Sequence, residues 1–221
     1  MASSTIENYV KQLYLEGQRT SNQKIPMGRL AKIMKVTPGT ATSMVKALAD
    51  SELVIYEPRE GARLTRGGKQ LALHVLRRHR LVELFLVKTL ALDWSEVHEE
   101  AENLEHVISD KVLEKIDKLL DYPCVDPHGD PIPTSKGNIT TKQYENLSDC
   151  RLHQKVKISR IVDQDPTFLQ FLEREGLTPN VKLTLQSRDD YADATTLITH
   201  ATSNTITLGL STAKKILVEP L

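Results

Sequence analysis

A proline- and glycine-rich segment at residues 121–138, DYPCVDPHGDPIPTSKGN, separates two parts of the chain that have different hydrophobic periodicities. In the part before it, apolar residues recur with a period near 3.6, which predicts amphipathic helices. In the part after it, a helix predicted from Asp165–Pro166 to Gly176 is followed by short alternating runs that predict four or five strands. The chain is therefore predicted to be mainly α with small β parts, joined by an extended linker.

The N-terminal part has the element order of a winged helix-turn-helix. An apolar stripe predicts a first helix that ends at Gly17, and Pro26 opens a short second helix. A third helix follows Thr37, whose side chain can cap it. Two short strands are predicted at residues 53–57 and 62–65, on either side of a PREG turn.

The third predicted helix has a polar side that suits contact with DNA. Its apolar side is formed by Met44, Val45 and Leu48, and the hairpin carries arginines. Hydroxyl and cationic side chains can bind phosphates and base edges. The candidate DNA-contacting residues are Thr37, Pro38, Gly39, Thr40, Thr42, Ser43, Lys46, Arg59 and Arg63. A solvated helix face or a protein-interaction module of the same element order is the alternative.

Charge is strongly segregated along the chain although the formal net charge is zero. Residues 1–80 hold 14 Lys and Arg against 6 Asp and Glu, and residues 81–121 hold 4 against 11. A basic first third suits a polyanion such as DNA, and an acidic second block suits cations. Mutual attraction between the two regions explains the same distribution, so charge alone leaves both interpretations open.

Two consecutive helical segments, residues 65–90 and one from Asp93 or Ser95 to Leu120, carry histidines and carboxylates on one face. His79 and Glu83 stand four residues apart on the first segment. The second segment carries His98, Glu102, Glu105 and His106 at a spacing that also selects one face. Imidazole and carboxylate together are ligands for a divalent transition metal. Surface ion pairs are the alternative, and a helix break at Ser109 is left open.

Composition and sequence motifs argue against several classes of protein. No run of roughly 18 apolar residues predicts a membrane span, and MASSTIENYV has neither the basic nor the apolar region of a secretory signal. Cys124 and Cys150 form no CxxC pair, so neither a disulfide framework nor a thiolate zinc site is expected. No HExxH, nucleophile motif or phosphate-binding glycine loop indicates an enzyme. A cytoplasmic protein is predicted.

The segments RRHRLVELFL and VHEEAENLEHVISD resemble the metal-binding helices of the diphtheria toxin repressor family, which contains iron-dependent repressors and manganese transport regulators. TPGTATSMVKAL and LTRGGKQLA are similar to its recognition helix and to the start of its fourth helix. DPHGDPIP resembles its connection to a C-terminal SH3-like small β-barrel. The resemblance implies a winged helix-turn-helix at 1–66, a helical metal-binding and dimerisation domain at 67–121, a linker at 122–150 and the SH3-like domain at 151–221.

The resemblance also implies two metal sites. One would be formed by Asn8, Glu102, Glu105 and His106, and the other by His79, Glu83 and His98. Iron-type repressors have Cys at the position of Glu102 and manganese-type regulators have Glu. A hard carboxylate at this position favours Mn²⁺ or Fe²⁺.

Two positions differ from the family pattern, and a third feature, a ligand from the C-terminal domain, does not match it clearly. Manganese-type relatives have Asp in place of Asn8, and some have Glu in place of Lys11. Asn8 still offers a carbonyl oxygen, but without charge. Family members also take a ligand from the C-terminal domain, for which Asp163 and Gln164 are the candidates here.

By this resemblance, the chain is expected to be a metal-dependent transcriptional regulator and not an enzyme. It would repress metal-uptake genes with Mn²⁺ or Fe²⁺ bound, and would bind a palindromic double-stranded DNA operator as a homodimer. No membrane and no small-molecule substrate is expected as a partner. The alternatives are a metal-independent winged-helix regulator that lost its first site through Asn8, and a metal-dependent enzyme.

Overall fold

The computed structural model describes residues 3–20, 22–140 and 142–221, and the chain divides into two compact units. The first unit contains the residues up to 79 together with 103–110 and 133–139. The second unit contains residues 80–102, 111–132 and 140–221. Each unit positions a separate group of histidine and carboxylate side chains.

The first unit confirms the predicted order of three helices and a hairpin. Its elements are α1 (Ser4–Gly17), α2 (Met27–Ile33), α3 (Pro38–Asp50), β1 (Val54–Glu57), β2 (Gly61–Leu64) and the N-terminal part of α4 (Arg66–Leu90). Strands β1 and β2 pair antiparallel, with Val54 opposite Leu64 and Glu57 opposite Gly61. A further bridge joins Ile25 to Ala62, so the start of β2 is held against the chain before α2.

Helix α1 packs on both sides within the first unit. Tyr9 and Leu13 belong to the core that α2, α3 and the hairpin form. Val10 and Tyr14 pack instead against Ala72 and neighbouring apolar residues of α4. Because α1 is clamped between these two groups of residues, the polar side chains on the rest of its surface are held in defined positions.

Helix α3 begins as its sequence predicts. The Thr37 side chain accepts a hydrogen bond from the Thr40 backbone N–H, and Pro38 occupies the first turn, where its missing N–H costs nothing. Val45 and Leu48 are buried, while Met44 is only partly buried. This burial leaves the predicted polar side of the helix facing outward.

Two separate helices follow α4. The sequence did not decide whether the helical segment is interrupted near Ser109, and the structure shows that it is. Helix α5 (Val97–Leu104) and helix α6 (Asp110–Leu119) are separated by five non-helical residues, and Ser109 directly precedes α6. The apolar period continues across this gap, which explains why periodicity alone did not reveal it.

The second unit contains a six-stranded antiparallel sheet. Its elements are β3 (Glu145–Asn146), β4 (Lys155–Ile161), α7 (Pro166–Arg174), β5 (Lys182–Asp189), β6 (Ala194–Thr199), β7 (Thr205–Gly209), α8 (Leu210–Ala213) and β8 (Ile216–Pro220). The strand order is β3-β8-β4-β5-β6-β7. One core includes Ile158, Leu185 and Val218 of the sheet with Leu169 and Leu172 of α7.

Much of residues 122–150 is ordered structure rather than the extended linker that its prolines predict. The Asp126 carboxylate accepts hydrogen bonds from the backbone N–H groups of His128 and Asp130, which closes a tight turn. Val125 and Pro131 form a bridge across this turn. Strand β3, near the end of the segment, pairs with β8. Side-chain hydrogen bonds to the backbone replace the interactions that a regular helix or strand would supply.

None of the described helices is both long and apolar enough to cross a membrane. Cys124 is exposed and Cys150 is buried, and both are free thiols. Burial, followed by the nearby charge of Glu145, raises the pKa of Cys150 to about 12.

Gly68 in the first turn of α4 permits a close backbone contact that its neighbour Gly67 does not make. A Cβ atom at Gly68 would lie 1.9 Å from the Leu53 carbonyl oxygen, whereas at Gly67 the nearest atom is Thr65 Oγ1 at 3.8 Å. We expect Gly68→Ala to destabilise the protein by about 2–3 kcal/mol, because the backbone must move. Gly67→Ala should be neutral or stabilising by about 0.5–1 kcal/mol. Urea unfolding of the two variants and the parent protein measures the difference, and equal stability would contradict this contact.

Candidate metal centre

The buried carboxylate of Glu105 lies at the centre of a group of polar side chains in the first unit. Glu105 directly follows α5 and is 0% exposed. Its Oε1 atom accepts a hydrogen bond from Lys11 Nζ at 2.6 Å. Its Oε2 atom lies 2.7 Å from His79 Nδ1. Helices α1 and α4 therefore both contribute partners to a single carboxylate.

The surroundings of Glu105 keep it ionised. Burial by itself would raise the pKa of this carboxyl group, but the hydrogen bond and charge of His79 lower it, and Lys11 lowers it further. The resulting pKa is below the ordinary value for glutamate. A buried carboxylate that is ionised at neutral pH is a suitable ligand for a divalent cation.

Three kinds of atom that can bind a metal ion meet where His106 contacts Asn8 and Glu105. Its Nε2 atom lies 2.9 Å from Asn8 Oδ1 and 3.3 Å from Glu105 Oε1. Its Nδ1 atom lies 2.6 Å from Glu7 Oε2, which fixes the orientation of the ring. An imidazole nitrogen, an amide oxygen and a carboxylate oxygen thus converge, a donor set that fits a divalent transition metal.

Three residues that the resemblance assigned to one site, namely Asn8, Glu105 and His106, are together in the first unit. The structure also places His79 beside Glu105, although the resemblance assigned it to the other site. Glu7 was not among the predicted residues. Its position one residue before Asn8 gave no signal, because neighbouring residues on a helix do not share a face.

In the second unit, Glu83 contacts the predicted residues of α5. Glu83 is buried, and its Oε1 atom lies 3.2 Å from His98 Nδ1. The other ring nitrogen of His98, Nε2, lies 3.7 Å from Glu102 Oε1. His98 therefore contacts both Glu83 and Glu102.

Sequence reasoning did not predict a second set of possible metal ligands, which lies around Glu83. One ligand atom each of Glu83, Asp126 and His128 lies within 4.8 Å of the others, and all three residues are buried. Asp126 and His128 belong to the segment that was interpreted as a linker. The motif DPHGD contains a possible ligand pair, but only the tight turn directs both side chains inward.

Two atoms with free lone pairs favour the binding of a cation between Glu83, Asp126 and His128. The His128 Nε2–H donates to the Trp94 carbonyl oxygen at 2.9 Å, which leaves Nδ1 as the ring atom with a lone pair. His128 Nδ1 and Asp126 Oδ2 have no hydrogen-bond partner among the described residues. Burial, followed by the charges of Asp130 and Glu83, raises the pKa of Asp126 despite the opposing Arg80 guanidinium. A cation would relieve this repulsion between carboxylates.

The two candidates from the C-terminal domain have other partners. Asp163 Oδ2 lies 2.7 Å from Lys215 Nζ, in an ion pair that is partly exposed. The amide of Gln164 donates to Asp130 Oδ2 at 2.8 Å and so reaches the turn that carries His128. Gln164 is therefore the candidate that contacts the turn that carries Asp126 and His128.

Family models match nearly the whole chain. The N-terminal DNA binding domain of iron dependent repressors matches residues 1–62, and their metal binding and dimerisation domain matches residues 65–134. The FeoA domain matches residues 145–220. These three matches follow the order of helices and strands described above.

Solved structures resemble the chain over its full length. A manganese-dependent transcriptional repressor in complex with manganese is 35% identical, with a TM-score of 0.87 and coverage of 98% of this chain and 100% of that chain. This chain belongs to the diphtheria toxin repressor family. The apo form of the manganese-activated repressor ScaR is also 35% identical, with a TM-score of 0.78 and coverage of 97% and 100%.

Two curated proteins extend the comparison to other organisms. The iron-dependent repressor IdeR of Mycobacterium leprae is 28% identical over 196 residues, which are 83% of this chain and 84% of that protein. An uncharacterized HTH-type transcriptional regulator of Methanocaldococcus jannaschii is 38% identical over 114 residues, 52% of this chain and 90% of that protein. The diphtheria toxin repressor family comprises metal-dependent transcriptional repressors, which are not enzymes, and iron and manganese are its metals.

Family membership confirms the predicted architecture. The winged helix-turn-helix is a DNA-binding domain, the central helices form a metal-binding and dimerisation domain, and the C-terminal sheet is an SH3-like FeoA domain. On the DNA-binding domain, the exposed members of the predicted set are Thr37, Pro38, Gly39, Thr40, Ser43, Lys46 and Arg59. Thr42 and Arg63 are half-buried.

Asn8 allows a direct test of the first group of donors. We expect Asn8→Asp to tighten Mn²⁺ binding roughly tenfold, because a charged oxygen would replace the neutral amide oxygen beside His106. Isothermal titration of chelator-treated protein measures the affinity. Asn22→Asp, which adds the same charge at an exposed position, is the control. Unchanged affinity in Asn8→Asp would mean that Asn8 is not a ligand.

Proposed function

We propose that this chain is a repressor of metal-uptake genes that binds a palindromic operator as a homodimer when Mn²⁺ or Fe²⁺ is bound. The proposed ligands of the first centre are Asn8, Glu105 and His106, with Glu102 added from the family resemblance. The proposed DNA contacts are the polar face of α3 and the arginines of the hairpin.

The contact between α1 and His106 is the observation that carries this proposal. Asn8 and Glu7 lie on α1, which packs through Tyr9 and Leu13 into the DNA-binding core. The same two residues contact both ring nitrogens of His106. Occupancy of the centre therefore bears directly on the helix that supports α3 and the hairpin.

A bound divalent ion would supply concentrated positive charge to donors that come from separate segments of the chain. Asn8 and His106 would then be held in one geometry, and α1 with them. Such coupling acts by favouring the conformer that can bind DNA. A change from mostly unbound to mostly DNA-bound protein needs roughly 5 kcal/mol of differential binding.

Exposed apolar side chains in α5, in α6 and in the segment between them support dimerisation. The exposed members are Leu104, Val107, Val112 and Leu119. Burial of such residues against a second copy is the usual basis of a stable dimer. Two copies of α3 could then contact half-sites about one helical turn apart, which is the reason for proposing a palindromic operator.

We propose a second metal site centred on Glu83. His98 is the imidazole that the family resemblance assigns to it, together with His79, which lies one turn before Glu83 on α4. Asp126 and His128 offer an alternative pair of ligands for the same carboxylate. Both sets are rich in carboxylate and imidazole donors and contain no thiolate, which favours Mn²⁺ or Fe²⁺ over metals that prefer sulfur.

Metal-independent DNA binding is the second candidate function, and the Lys11–Glu105 ion pair favours it. Because an ammonium group already neutralises Glu105, the first unit has a charge-compensated arrangement that needs no added cation. In that case the chain would bind its operator whether or not a metal is available.

DNA binding by chelator-treated protein separates the two functions. We expect tight binding to a fragment of the protein's own upstream region or of a metal-transporter promoter only with Mn²⁺ or Fe²⁺, the latter under anaerobic conditions. Gel-shift or fluorescence anisotropy titrations at fixed salt measure it, since phosphate contacts depend on salt. Equally tight binding with chelator present would support the metal-independent regulator.

Thr40→Ala and Ser43→Ala, placed on the exposed face of α3, should each weaken specific binding by about 1 kcal/mol or more.

Glu83 provides the test of the second site. We expect Glu83→Gln to remove one bound Mn²⁺ per chain, because it neutralises a carboxylate common to both sets of donors. Isothermal titration or metal analysis after dialysis gives the stoichiometry, with Glu96→Gln at an exposed position as the control. His98→Ala and His128→Ala then identify which imidazole takes part. An unchanged stoichiometry in Glu83→Gln would rule out this site.

A further inference from the structure

Lys11 is a buried lysine whose charge is directed at the candidate metal centre. Its side chain is 3% exposed, and its Nζ atom lies 2.6 Å from the Oε1 atom of Glu105, which is 0% exposed. Burial of an ammonium group is costly unless a charged partner compensates it. The contact is therefore a strong pairing of two buried charges, unlike a solvated surface ion pair.

The ammonium group of Lys11 contacts the carboxylate oxygen that would also bind a metal ion. Glu105 Oε1, which accepts the Lys11 hydrogen bond, is also the oxygen that lies 3.3 Å from His106 Nε2. The other oxygen, Oε2, is engaged by His79. A cation at Oε1 must therefore share this atom with Lys11 or displace the ammonium group from it.

The charge balance around Glu105 also limits how many ions can bind. Among the contacts of the first unit, Glu7 and Glu105 carry negative charge, while Lys11 and Arg78 carry positive charge. Arg78 lies 3.8 Å from Glu7 and forms a closer ion pair with Asp110. Two divalent ions would add four positive charges to a region where Lys11 and Arg78 already compensate part of the negative charge of the carboxylates, which is unfavourable in a buried site.

We propose that Lys11 is a built-in cation of the first metal centre, which occupies the place of a second divalent ion beside Glu105. The centre then binds a single ion, and the competition between Lys11 and that ion for Glu105 sets the metal concentration to which the protein responds. This inference rests on the proposed metal-dependent function. It assigns to Lys11 the control of stoichiometry and threshold, and not a structural role alone.

Manganese titration of three Lys11 variants tests the proposal. Lys11→Met removes the charge with little change in length, Lys11→Glu replaces the cation with a further carboxylate, and Lys11→Arg retains the charge. Isothermal titration of the chelator-treated full chain should show one additional Mn²⁺ per chain for Lys11→Glu. For Lys11→Met we expect at least tenfold tighter binding, and for Lys11→Arg binding close to that of the parent protein. Lys115→Met and Lys115→Glu make the same changes at an exposed position.

Thermal unfolding provides a second measurement. The Mn²⁺-induced rise in Tm distinguishes a competing cation from a purely structural lysine. Without metal, Lys11→Met should unfold at a lower temperature, because Glu105 loses a buried partner. Saturating Mn²⁺ should then raise its Tm by more than it raises the Tm of the parent protein. A structural role alone predicts the same Mn²⁺-induced rise in both proteins.

Two different results would overturn the proposal, and they distinguish its failure from the failure of the proposed metal-dependent function. If the parent protein binds Mn²⁺ but the Lys11 variants match it in stoichiometry, affinity and Mn²⁺-induced rise in Tm, Lys11 is not a built-in cation and the metal-dependent function stands. If neither the parent protein nor the variants bind Mn²⁺, the proposed metal-dependent function fails as well. Binding by Lys11→Met but not by the parent protein would support the role of Lys11 as a competing cation.

Discussion

The buried Glu105 carboxylate is the group on which the organisation of the first unit depends. An ionised carboxylate in a buried position is unstable without compensation, and here Lys11 and His79 supply it. These partners come from α1 and α4, so the requirement for compensation ties two helices to the segment after α5. The same requirement explains why a metal ion can take part, because a cation is another way to satisfy this carboxylate.

Helix α1 contacts the DNA-binding core on one side and the candidate metal centre on the other. Its apolar residues pack into the core of the winged helix-turn-helix, and its polar residues Glu7, Asn8 and Lys11 surround His106 and Glu105. A displacement at the polar side would be transmitted to the whole helix, since closely packed side chains transmit strain. The regulatory role that we propose follows from this arrangement within one compact unit.

The second unit meets a similar electrostatic problem with a different set of residues. Asp126, Asp130 and Glu83 place three carboxylates in a buried region, where Arg80 and Arg160 supply compensating charge. Burial, followed by the charges of Asp130 and Glu83, raises the pKa of Asp126 despite the opposing charge of Arg80. A polar cluster with unsatisfied atoms, held by a tight turn of the chain, is typical of a binding site rather than of a structural core.

The sequence by itself determined α1 to α4, the hairpin, α7, the last four strands and the presence of histidine and carboxylate faces, because these follow from local periodicity and turn chemistry. Its resemblance to a known family also predicted that Asn8, Glu105 and His106 lie together, and these three side chains are in contact. Only the tertiary structure decided that Lys11 and His79 contact Glu105, that α5 and α6 are separate, and that Asp126 and His128 turn inward to meet Glu83. These contacts join residues far apart in the chain, and their pairing depends on burial and charge compensation, which no local pattern encodes.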